Sequence, residues 1–126
     1  MVPINYLSIG LAVLASLLLG FVWYMPSVLG NTWMRLAGVK PTGKSVALPM
    51  LSSIVSAFLL AFALERMQIP FQQTLVIGLF LWLVFTESFI LQHFLYEGRS
   101  MKLYALYAIH HFLNVVVVAT VVSLMR

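Results

Sequence analysis

The sequence has 126 residues, of which 63% are hydrophobic and 8% charged, with a formal net charge of +4 and a mean hydropathy of +1.05. Soluble domains carry about 25% charged residues, and so few charges cannot cover a water-soluble surface, which excludes a soluble globular chain. The length allows one domain, 1–126; the absence of cysteine excludes disulfides and thiolate centres, and the scattered basic residues do not make a nucleic-acid surface.

A membrane-spanning helix needs about 20 mostly apolar residues. Four stretches qualify, at about 4–25, 46–64, 71–96 and 101–125. The first reads as a span and not as a cleaved signal peptide, because no Lys or Arg precedes Arg35. Between the first two spans, about 26–38 reads as a short amphipathic helix at the membrane surface. Leu29, Trp33, Leu36 and Ala37 fall on one of its faces, and Ser27, Asn31 and Arg35 on the other. Pro26 suits its start and Gly38 its stop. The second span stops at Glu65-Arg66. Gln68–Pro70 and Glu97–Ser100 are tight turns, which predict antiparallel hairpins. The fold class is therefore all-α: an integral membrane bundle of four transmembrane helices with an interfacial helix between the first two.

Orientation follows the basic residues of short loops. The first and third loops hold Arg35, Lys40, Lys44, Arg99 and Lys102, whereas the opposite side holds Arg66 and Arg126. This bias predicts a multi-pass protein of the cell membrane with both termini outside. Apolarity alone does not associate helices in lipid, so small residues and polar pairs must do so. Ser8, Ala12, Ser16 and Gly20 form a ridge on the first span, and Ser53, Ala57 and Ala61 one on the second. The two ridges either pack on each other or meet a second copy in a homo-oligomer.

Two signatures carry a resemblance. Gly20–Pro26 runs on to Leu29-Gly30 and Trp33–Arg35, and Leu95–Ser100 is followed by Lys102-Leu103 and by His111; Gly78 and Leu81–Leu83 add to the match. Together they resemble a bacterial family of unknown function, number 1761. The resemblance implies a small multi-span membrane protein and implies no activity. Physically, Trp23, Tyr24 and Trp33 suit the membrane interface as anchors, where a ring with a polar edge is half wet.

Glu87 is the most unusual residue, roughly 13 Å from the end of its span by helical rise. An intramembrane carboxyl is costly and is a functional candidate by default; the family resemblance carries no role onto it. Tyr104, Tyr107, His111 and Asn114 form a stripe on the fourth span, with His110 beside it, and the third span adds Gln92 and His93. This set (Glu87, His93, Tyr107, His110, His111 and Asn114) is the candidate intramembrane polar site. Interhelical hydrogen bonding, a proton or substrate pathway, and a metal or haem site are the readings open to it. Equal depth about the turn near Gly98 predicts a bond from Glu87 to His110 or His111. There is no HExxH spacing, no nucleophile elbow, no phosphate loop and no Asp, so no catalytic residue, metal or cofactor is assigned.

The leading expectation is a non-enzymatic structural or interaction module in the lipid bilayer, its small-molecule ligand unknown. A small proton-coupled transporter using Glu87 is the alternative. A membrane enzyme or metal or haem binder using the histidines is the third.

Overall fold

The structure is a computed structural model that describes residues 3–125, apart from the side chains of Lys44, Thr86 and Glu87. The described residues are helical, without strands, and four helices are long and apolar enough to cross a membrane. Helix α1 (Tyr6–Trp23) starts at Asn5, whose side chain accepts the Ser8 backbone N–H and so satisfies one of the free donors of the first turn. Pro26–Gly30 forms a π-helical turn that leads into α2 (Asn31–Ala37), and Gly38, with φ at 70°, ends it. The segment expected as one surface helix is thus a π turn followed by a two-turn helix. Proline fixes the entry, and glycine supplies the left-handed exit.

Helix α3 (Gly43–Met67) begins three residues before the expected span. Thr42 and Ser45 form a capping box there, which draws the start outward. It also passes through Glu65-Arg66, where the sequence suggested a stop, and ends at Gln68 in a left-handed conformation.

The third span is α4 (Phe71–Trp82), a π-helical stretch Leu83–Ile90, and α5 (Leu91–Glu97). Sequence reading gave a plain α-helix here, since no proline or glycine marks 83–90. Gly98, with φ at 65°, turns the chain. Ser100 then caps α6 (Met101–Leu124) by accepting the Leu103 N–H. Arg99 lies 4.4 Å above the Phe94 ring and 4.0 Å from the Glu97 carboxylate, which braces this turn.

Helix α6 is the centre of the fold. Helices α1, α3 and α4 all pack on it, and α1 packs on α3 as well. The core joins Ile9 and Ala12 of α1, Ala61 and Leu64 of α3, and Val118, Ala119 and Val122 of α6. The small ridges of α1 and α3 therefore meet at this level. The upper part of the α1 ridge, Ser16 and Gly20, faces α6 instead. Helix α4 comes close to α6 at Gly78, where a Cβ would come within 2.8 Å of a Val115 methyl carbon.

The two short turns behave differently. The one at Gly98 gives a packed hairpin, joined further along by the Trp82 indole N–H donating to the Ala108 carbonyl at 2.9 Å. The one at Gln68–Pro70 does not: α3 and α4 are not packed along their length and each turns to α6. The N-terminal half of α3 is largely exposed, with Leu48 74% accessible, and burial begins at Ala57.

Candidate functional site

Two clusters of polar and aromatic side chains lie towards opposite ends of the helices. At the end holding the Gln68–Pro70 turn, Glu65 is 1% exposed. Its carboxylate accepts hydrogen bonds from the Asn5 backbone N–H at 3.2 Å, the Ser8 hydroxyl at 3.3 Å and the Gln68 amide at 2.9 Å. The same Gln68 amide donates to the Glu65 carbonyl at 2.7 Å, and the Asn5 side-chain amide donates to the Met125 carbonyl at 3.0 Å. One carboxylate thus ties α1 and α3, and Asn5 extends the tie to α6. A buried carboxylate is tolerable when donors surround it in this way. Sequence reading treated Glu65 only as the end of a span. The available signal was that Asn5, the second turn and the C-terminus must all lie at one end of four antiparallel helices.

At the opposite end, aromatic residues from the junction of α1 and α2 close around α6. The Trp33 indole N–H donates to the Tyr107 hydroxyl at 2.9 Å. Tyr24 meets the Trp33 ring edge-on at 5.2 Å and the His110 ring at 5.3 Å, and Trp23 lies 6.0 Å from His110. Gly20 leaves room for the imidazole: a Cβ there would lie 3.6 Å from Nε2. Gly30 holds the π turn against the Tyr24 carbonyl so closely that no Cβ fits. Tyr24 follows the last residue of α1, and burial pushes its phenol above the usual range, with charge repulsion from Tyr107 adding to this.

The structure divides the predicted polar set. Tyr107, His110 and Asn114 face α1 and α2, and Asn114 accepts a short hydrogen bond from Ser16. His111 is exposed, although its ring lies 5.4 Å from that of His110. His93 is exposed on α5. The Glu87 side chain, and with it the expected bond to His110 or His111, lies outside the described residues. Of the anchors, Tyr24 packs on Trp33 and on His110, and Trp23 packs on His110.

Among the described residues, the two His110 ring nitrogens and the Trp23 indole nitrogen are buried without a hydrogen-bond partner. Also among the described residues, no group of three His, Asp or Glu is placed to hold a metal ion. Neighbouring aromatic rings and a glycine can hold an imidazole in place.

One family pattern matches residues 7–123, nearly the whole chain. The chain belongs to the family described as "Protein of unknown function (DUF1761)". No curated protein and no solved structure matches it. In this DUF1761 chain, the two stretches that carried the resemblance are far apart in sequence but adjacent in space. Gly20–Pro26 and Trp33–Arg35 close over the first half of α6, just beyond the Leu95–Ser100 turn.

Proposed function

We propose that this chain is an integral membrane protein that works as a non-enzymatic structural or interaction module. All four long helices cross the bilayer as one bundle. Helix α2 lies at the cytoplasmic interface, and both termini are outside the cell membrane.

The observation that carries this reading is the apolar exterior. Large hydrophobic side chains are exposed on every long helix, among them Leu7 and Phe21 on α1, Leu48 and Leu59 on α3, Val76 and Phe80 on α4, and Ile109 and Leu124 on α6. Water would penalise such a surface, whereas hydrocarbon does not. The polar groups that are turned inward mainly join helix to helix, as Ser16–Asn114, Trp82–Ala108 and the Glu65 cluster do. Such contacts assemble a bundle.

Two measurements test the proposal. The expressed chain stays with membranes through alkaline carbonate extraction; release into the supernatant would refute membrane insertion. Proteoliposomes loaded with a panel of cations and cationic drugs leak no faster than empty vesicles. Flux that Glu87→Gln abolishes would replace the module reading with a transporter.

A further inference from the structure

A groove of about 540 Å³ opens between the α2 segment and the first half of α6. Its polar part is made by Arg35 and Thr32 from α2 and Lys102 from the first turn of α6. Its walls are Trp23, Leu29 and Leu36, and its floor runs along α6 through Leu106 to Ile109. Lys102, Leu106 and Ile109 are spaced four and three residues apart, so they share one helix face. That face passes from a cation to bare hydrocarbon within two turns. No acidic residue lines the groove. Arg35 and Lys102 are exposed, and among the described residues neither has an ion-pair partner.

From this arrangement we propose that the groove binds an anionic phospholipid. The phosphate headgroup sits between Arg35 and Lys102, within reach of the Thr32 hydroxyl, and the upper acyl chain lies on Leu106 and Ile109. A free phosphate needs the cations but not the apolar floor, and a neutral lipid needs the floor but not the cations. Only an anionic amphiphile uses both. The volume lies within the range of small-molecule sites. Basic pockets beside membrane helices hold phosphate headgroups by the same attraction. The inference rests on the proposed membrane insertion, with α2 at the interface.

The test reconstitutes the full chain in vesicles of phosphatidylcholine with a minor share of phosphatidylglycerol. Either lipid is brominated in turn, and tryptophan quenching is read, since Trp23 forms a wall of the groove. The wild type shows a relative binding constant favouring the brominated anionic lipid. Arg35→Gln or Lys102→Gln lowers that preference roughly fivefold, and the pair together roughly 25-fold. Arg99→Gln, at the turn outside the groove, leaves it unchanged, as does the charge-conserving pair Arg35→Lys with Lys102→Arg. An equal loss in Arg99→Gln, or no anionic preference in the wild type, would overturn the site. Competition by excess inorganic phosphate would overturn the choice of lipid over free phosphate. Absence of quenching by either lipid would overturn membrane insertion itself, and the lipid site with it.

Discussion

The two ends of the molecule place their polar groups differently, and among the described residues the Glu65 end leaves one buried hydroxyl, that of Ser123, without a partner. At the Glu65 end, one buried carboxylate gathers donors from Asn5, Ser8 and Gln68, and three helix ends are fastened together. At the α2 end, the buried nitrogens of His110 and Trp23 have no partner among the described residues. There the backbone takes a π turn at Pro26–Gly30, and the first half of α3 stands exposed. A satisfied polar cluster rigidifies, whereas an unsatisfied one costs free energy and is retained where something other than stability is served. The comparison points to fastening at the Glu65 end, whereas the proposed lipid groove lies at the α2 end.

Substitutions that remove one polar group at each end can break this contrast. Glu65→Ala removes the shared acceptor of the Asn5 backbone N–H, the Ser8 hydroxyl and the Gln68 amide, of which the last two keep a backbone carbonyl each, and lowers the stability of the detergent-solubilised chain by about 3 kcal/mol. Thermal unfolding followed by circular dichroism reads this loss, and an unchanged midpoint would remove the fastening role. Gly78→Ala forces a Cβ against the stiff Val115 side chain and costs about 1–3 kcal/mol; adding Val115→Ala recovers much of that loss in the same measurement. His110→Phe replaces two unpartnered nitrogens with an apolar ring and shifts stability by less than about 1 kcal/mol. A loss as large as that of Glu65→Ala would mean that His110 has a strong partner beyond the described side chains, and Glu87 would be the first to examine.

The smallest expected effect concerns Tyr24. Because burial raises its phenol, the folded state keeps that proton more firmly than the unfolded chain does. The stability this contributes is complete below the usual tyrosine value of about 10 and is lost as pH rises past it. Tyr24→Phe therefore flattens the fall in unfolding midpoint above pH 10 relative to the wild type. Parallel pH profiles for the two proteins would contradict this.

Much of the helix pattern was legible because apolar run length and turn residues are local signals. Asn5, Thr42, Gly38, Gly98 and Ser100 all act within a few residues of the helix ends they set. The π stretch at 83–90 was not legible, since no breaker announces it. Nor could periodicity choose between His110 and His111: adjacent residues differ by about 100° around a helix, and only the placement of Trp23 and Tyr24 decides which imidazole turns inward. Glu65 was overlooked because its partners lie 57 and 60 residues away. The splaying of α3 from α4 was missed for a related reason: a short turn fixes direction, but α6 supplies the better packing surface for both helices.

The central claim is that the four long helices cross the membrane with the Glu65 end outside and the Arg35–Lys102 end in the cytoplasm. The absence of cysteine makes it directly testable, because any introduced thiol is unique. Gln72→Cys and Lys40→Cys place such a thiol at exposed positions, one at each end. In intact cells, a membrane-impermeant maleimide labels the Gln72→Cys protein at once and the Lys40→Cys protein only after permeabilisation. Labelling of Lys40→Cys in intact cells, with or without labelling of Gln72→Cys, would contradict the account.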